Sequence, residues 1–74
     1  MIKAEAEKAV RQMCREWAKE RGIARADFAT ASFIDFWQWA QSNYSSYLRF
    51  RTTTSVIYDV EMWFEDEMGQ KGFN

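Results

Sequence analysis

The chain of 74 residues contains no proline and no histidine, and it has only one cysteine and three glycines. Without histidine, the usual general base near neutral pH and the commonest metal ligand are both missing. One cysteine and no histidine cannot build a common zinc site, nor can the chain form an intramolecular disulfide. The sequence therefore predicts a protein that is not an enzyme and that holds no cofactor or metal ion.

Sequence signals for phosphate binding, membrane spanning and secretion are missing too. The glycines at 69 and 72 (GQKG) lack the spacing of a phosphate-binding loop, so no small-molecule substrate is implied. No run of about 18 apolar residues is present, which predicts that no segment spans a membrane. The first ten residues, MIKAEAEKAV, are charged from the third onward and do not resemble a signal peptide. Together with the single Cys14, these features favour a cytoplasmic location.

Apolar and aromatic side chains, in contrast, are abundant. Of all residues, 47% are hydrophobic and 18% are aromatic, including four Trp and six Phe. This composition argues against disorder, and the length predicts a single domain over residues 1–74. Because helix-breaking residues are so few, long helices are the expected elements.

The first predicted helix spans residues 2–21. Its apolar residues recur every three or four positions, which is the spacing of one helix face, and they are Ile2, Ala6, Val10, Met13 and Trp17. Gly22 follows as a predicted left-handed C-terminal cap.

Two further helices are predicted, at about 32–43 and 55–68. Ser32 is the expected cap of the second helix, and one of Thr53, Thr54 or Ser55 is expected to cap the third. The segment 44–54 is predicted to be an irregular, turn-rich loop or a short helical turn, with a short extended stretch as the alternative, and 69–74 a frayed tail. The fold class predicted is all-α, a small three-helix bundle.

The segment Phe33–Tyr47 (FIDFWQWAQSNYSSY) is the most aromatic part of the chain. Helical spacing groups Phe33, Trp37, Ala40 and Tyr44 on one apolar side, with Phe36 beside them. Trp39 instead falls with Asp35, Gln38 and Ser42, on the side that looks polar. Either the 44–54 segment covers Trp39, or Trp39 is an anchor for a protein partner, a role in which Trp is enriched. The same question applies to Tyr47, which lies beyond the helix.

The third helix carries two apolar residues among acids. Tyr58 and Met62 fall away from the stripe formed by Val56, Val60, Trp63 and Phe64. The neighbouring acids are Asp59, Glu61, Glu65, Asp66 and Glu67. This pattern is typical of an exposed helix face, or it forms a patch for a basic partner. The predicted partner-binding residues are Trp39, Tyr47, Tyr58 and Met62, with Glu61, Glu65 and Asp66 as a charged rim.

Charge is unevenly distributed along the chain. Residues 1–25 carry seven basic and four acidic groups, whereas residues 26–74 carry three basic and seven acidic groups. Such an arrangement either matches two helices to each other or creates two surfaces of opposite sign. The basic residues that share one side of the first helix are Lys8, Arg11, Arg15 and Lys19. With Arg49 and Arg51, they make nucleic-acid binding the alternative hypothesis.

More large apolar side chains are present than so small a domain can bury around one core, so some are expected at the surface. The function that the sequence favours is therefore protein–protein interaction, by an adaptor or inhibitor that binds another protein or itself as a homodimer. Compact chains of this kind also occur as phage or mobile-element accessory proteins.

Overall fold

The computed structural model of the protein describes residues 2–70. Three α-helices are present: α1 (Lys3–Arg21), α2 (Phe33–Tyr44) and α3 (Val56–Glu67). Each lies within one or two residues of its predicted range, and residues 2–70 contain no β-strand. The all-α class and the three-helix bundle are thus confirmed.

The helices begin and end as the local sequence predicts. Gly22 adopts a φ of 69°, the left-handed conformation that ends α1 and that glycine tolerates best. The Ser32 hydroxyl accepts a hydrogen bond from the Asp35 backbone N–H at 3.2 Å, which caps α2. Ser55 caps α3 in the same way, accepting from the backbone N–H of Tyr58 at 3.2 Å.

Two 3-10 helices connect the α-helices, a first at Arg25–Thr30 and a second at Ser45–Leu48. The 44–54 segment is thus a helical turn followed by irregular chain, so its extended alternative is wrong. Gln70 is held in place, because its side-chain amide donates to the carbonyls of Phe28 and Ala31 at 2.7 and 3.0 Å. The predicted frayed tail therefore does not begin at residue 69, and residues 71–74 lie outside the described residues.

Trp17 lies at the centre of the core. Its ring meets Phe36 of α2 and Phe64 of α3 edge to face, with centroids 5.6 and 5.7 Å apart. Its indole N–H donates a hydrogen bond of 2.9 Å to the Asp35 carboxylate. The same carboxylate accepts a second hydrogen bond of 2.9 Å from Arg21. The predicted α1 stripe is buried from Ala6 to Trp17, but Ile2, at the helix start, is exposed.

The rings of α2 and α3 also contact each other directly. Phe36 stacks on Phe64 with centroids 5.1 Å apart, and Phe33 meets the edge of Phe64 at 5.4 Å. Val60, Trp63, Phe64 and Met68 are buried as predicted, whereas Val56 is partly buried and Ile57 exposed. Aromatic side chains therefore span the space between these two helices.

Ion pairs join α1 to the acidic end of α3. Arg11 lies 2.8 Å from Asp66 and 3.2 Å from Glu67, and Arg15 lies 3.6 Å from Glu67. The last turn of α3 contains no basic residue of its own, although a helix C-terminus favours cations. The arginines of α1 supply that charge, so part of the uneven charge distribution is an internal match between two helices.

Asp59 fastens the segment that precedes α3. Its carboxylate accepts hydrogen bonds from the hydroxyls of Thr52 and Thr54, the latter at 2.7 Å, and lies 3.4 Å from the Lys3 ammonium. Only 5% of Asp59 is exposed, so the expectation of a surface acid beside Tyr58 is wrong. Burial alone would raise the pKa of Asp59, but these hydrogen bonds and the Lys3 charge outweigh it and lower the pKa.

We expect Asp59→Asn to lower the free energy of unfolding by about 1–3 kcal/mol at pH 7, because a buried charged acceptor is lost. Since the folded-state pKa of Asp59 is lowered, its carboxylate stabilises the fold above the unfolded-state pKa of about 3.9. That contribution disappears as the pH falls through the folded-state pKa. Urea unfolding from pH 7 down to pH 3 should show the wild type and variant converging below about pH 4.

The matched control is Asp27→Asn, the same change at an exposed residue of the first 3-10 helix. It should leave the free energy of unfolding nearly unchanged at pH 7. A constant difference between wild type and Asp59→Asn across the pH range would contradict the role of the Asp59 charge.

Candidate functional site

Trp39 is part of the core and is not available as a partner-binding anchor. Only 7% of it is exposed, and its ring stacks on Phe36 and contacts Tyr44, with centroids 6.1 and 5.6 Å away. Its indole N–H is buried and has no hydrogen-bond acceptor within residues 2–70. The proposed role of Trp39 in an interface is therefore wrong, and the alternative that it is covered within the chain is correct.

The error arose from the polar residue Asp35, which lies one turn before Trp39. The sequence pattern assigned Asp35 to a solvent-facing side of α2, but its carboxylate binds Trp17 and Arg21 of α1. Those two donors lower the pKa of Asp35, with the Arg21 hydrogen bond the larger cause. Asp35 thus faces α1, and Trp39, one turn later, is buried beside it, while Gln38 and Ser42 stay exposed.

The residues predicted for the apolar side of α2 still pack on the core: Phe36 and Ala40 are buried, and Phe33, Trp37 and Tyr44 are partly buried against it. Trp37 is partly buried and lies at the edge of the core, against Phe33 at 6.0 Å between centroids. It lines an open groove of about 430 Å³ between α2 and the start of α3. The other residues lining the groove are Gln41, Ser45, Leu48, Arg49, Val56 and Ile57.

Two exposed isoleucines extend this groove into a larger apolar surface. Ile34 is 61% exposed, and helical spacing puts it on the same side of α2 as Trp37 and Gln41. Ile57 is 44% exposed on the α3 wall of the groove. Ile34, Trp37 and Ile57 are not among the partner-binding residues predicted from the sequence, and Trp37 was predicted to lie in the core.

Two of the predicted residues, Tyr58 and Met62, lie on the solvent-exposed side of α3 beyond Ile57. Tyr58 is 52% exposed and Met62 is also exposed, both pointing away from the buried side of α3 as predicted. Glu61 and Glu65 flank them, partly exposed, and neither forms an ion pair within residues 2–70. We call this surface the α2–α3 face; it consists of Ile34, Trp37, Ile57, Tyr58 and Met62 with the acids Glu61 and Glu65.

The remaining predicted partner-binding residues lie elsewhere. Asp66 binds Arg11, so it belongs to the α1–α3 contact and not to an open acidic rim. Tyr47 is exposed on another side, where its ring meets Tyr44 at 6.1 Å between centroids. There it lines a small groove with α1 residues that include Gln12 and Met13. The structure therefore brings together four of the seven predicted residues: Tyr58, Met62, Glu61 and Glu65.

The basic residues proposed for nucleic acid do not form one continuous track. Partial burial would lower the pKa of Arg11, but hydrogen bonds to Asp66, Glu7 and Glu67 raise it. Lys8, Arg15 and Lys19 are exposed on α1, while Arg49 and Arg51 line two separate grooves. Nucleic-acid binding stays a prediction, with Arg11 already engaged by carboxylates.

Three further features of the described residues concern metal ligands, the single thiol and the helix lengths. Residues 2–70 contain no cluster of three or more side chains among His, Cys, Asp and Glu that could hold a metal ion. Cys14 is fully buried; burial, followed by the nearby Glu67 charge, raises the pKa of its thiol to about 12. None of the helices in this range has the length and apolarity needed to cross a membrane.

Comparison of the chain with protein-family models, with curated proteins and with solved structures finds no match. The function must therefore be argued from the residues themselves.

Replacing each of the two tryptophans of α2 should lower the free energy of unfolding by different amounts. We expect Trp39→Ala to lower the free energy of unfolding by about 3–5 kcal/mol, since it empties a buried site. Trp37→Ala, at the edge of the core, should cost clearly less. Urea unfolding followed by far-ultraviolet circular dichroism measures both, and an equal or larger loss for Trp37→Ala would contradict the assignment of Trp39 to the core.

Proposed function

We propose that the protein is a protein–protein interaction module that binds its partner through the α2–α3 face. One observation carries this proposal: Trp37 and Ile57 line one open groove between α2 and α3, and the exposed Ile34 and Tyr58 lie next to them along the two helices. Tyr58 and Ile34 are more than half exposed, and Trp37 forms part of the groove wall. Contiguous apolar surface of this kind marks binding sites more often than it occurs by chance on a small domain.

The charges at the α2–α3 face favour a partner with a basic rim. Glu61 and Glu65 lie beside Tyr58 and Met62 and have no cationic partner within residues 2–70. Unpaired acids around an apolar centre accelerate encounter with a positively charged surface and discriminate against acidic ones. Arg49 lines the groove itself, so the acids set the sign of the charge on the α3 side of the face only.

The setting proposed for this interaction is the cytoplasm, where a free, buried thiol such as Cys14 is stable. An adaptor and an inhibitor would both use such a face. An origin in a phage or mobile element stays a prediction, since no contact within residues 2–70 bears on it.

The proposal is tested by a matched pair of isoleucine substitutions. Ile34→Ser changes the α2–α3 face, whereas Ile2→Ser makes the same change at an equally exposed residue outside it, with exposures of 61% and 63%. We expect a partner captured by the wild type to be lost by Ile34→Ser and by Tyr58→Ala but retained by Ile2→Ser. Quantitative affinity capture from the native host with mass spectrometry measures this.

Two results would overturn the proposal. The first is a captured partner that binds all variants equally or is lost only with Ile2→Ser. The second is a molar mass in solution of twice the monomer that Ile34→Ser reduces, because the face would then be a homodimer interface. Circular dichroism of each variant separates loss of binding from loss of folding.

A further inference from the structure

A second groove, at the opposite end of α3, is lined mainly by cationic and apolar side chains. It encloses about 560 Å³ between the last turns of α1, the first 3-10 helix and the C-terminal end of α3. Three cationic side chains line it: Arg15 and Lys19 from α1 and Arg25 from the 3-10 helix. Glu67 is the one acid in its lining, and it is already bound by Arg11 and Arg15.

The floor of this groove is apolar. Ala18 and Met68 are buried there, and Ile23 and Phe28 are partly buried around them. Ala26 and Ala29 form the wall on the 3-10 helix. Because their side chains are small, this wall rises little above the floor. The groove therefore combines an apolar base with a cationic rim, which suits a ligand that carries both apolar and acidic groups.

Charge complementarity at the rim is not weakened by the two helix ends beside it. The C-terminal carbonyls of helices carry partial negative charge, which would repel an acidic ligand. Here the carbonyls of Ala18 and Lys19 accept from the N–H groups of Ile23 and Gly22, at 2.9 and 3.1 Å. At the end of α3, the carbonyl of Glu65 accepts from the Gln70 N–H at 2.8 Å. Lys19 and Arg25 form no ion pair within residues 2–70.

We propose that this groove binds an acidic peptide segment with an apolar anchor residue, its carboxylates held by Lys19 and Arg25 and its apolar side chain on Ile23 and Met68. The contact between Arg15 and Glu67 shows that a carboxylate already fits at the rim. Nucleic acid is the poorer fit, because phosphates would leave the apolar floor unused. The other basic residues, Lys8, Arg49 and Arg51, are not part of this groove's lining. This site is independent of the α2–α3 face.

The test uses a fluorescently labelled peptide of about eight residues, rich in Glu and Leu, with binding measured by fluorescence anisotropy. We expect the double variant Lys19→Glu, Arg25→Glu to bind at least about tenfold more weakly, since two favourable charge pairs become repulsive. Lys8→Glu is the matched control, the same change on the exposed side of α1 but outside the groove. Its affinity should stay within about twofold of the wild type.

A second variant blocks the groove without changing its charge. Ala29→Trp places a bulky side chain at the groove wall, on an exposed residue that burial does not constrain, and should also weaken binding about tenfold. Raising the salt concentration should weaken wild-type binding, because it screens attraction, and should strengthen binding to the charge-reversed variant, because it screens repulsion. Circular dichroism confirms that each variant is folded.

Four results would overturn the proposal: no binding of the labelled peptide at low salt, equal loss with Lys8→Glu, affinity unchanged by Ala29→Trp, or tighter binding of a single-stranded oligonucleotide than of the peptide. A molar mass that grows with concentration and falls in the double variant would also overturn it, because the groove would then hold the acidic α3 of a second copy. None of these results affects the α2–α3 face, which Ile34→Ser tests separately.

Discussion

The fold depends on one side chain, Trp17, which contacts both other helices. Its ring packs on Phe36 and Phe64, and its N–H binds Asp35, so α1 fixes the rotation of α2 about its own axis. In so small a domain a single aromatic cluster must supply much of the apolar burial. Because Asp35 must reach Trp17 and Arg21, Trp39 turns inward on the same side, and Trp37 lies at the edge of the core. The candidate site on α2 thus follows from an interaction made elsewhere in the core.

The sequence predicts the helices well, because their signals are local. Apolar spacing, Ser32, Ser55 and the left-handed Gly22 all act within one or two turns, and the structure confirms each one. The contact of Asp35 with α1 and the burial of Trp39, in contrast, could not be predicted from such local signals. An aspartate looks solvent-facing by type, and only its long-range partners Trp17 and Arg21 show otherwise.

Asp59 illustrates the same limit on α3. Helical spacing puts it one turn before the buried Trp63, but an aspartate looks like a surface residue by type. Its partners Thr52 and Thr54 lie in irregular chain, and Lys3 lies on another helix. Two of the three consecutive threonines, Thr52 and Thr54, act as hydroxyl donors to Asp59. For Tyr58 and Met62 the local pattern was sufficient, because solvent exposure needs no distant partner.

Ion pairs within the chain neutralise only part of its unevenly distributed charge. Arg11 and Arg15 neutralise the end of α3, which leaves Glu61 and Glu65 on the α2–α3 face and Lys19 and Arg25 at the groove. Ile57 and Met68 mark these two sites on α3, and at 1.5 Å per residue they lie about 16 Å apart along its axis. Two sites of opposite charge on one rigid helix would select unlike partners and hold them at a fixed spacing. An inhibitor needs only one such site, so occupation of both would favour an adaptor.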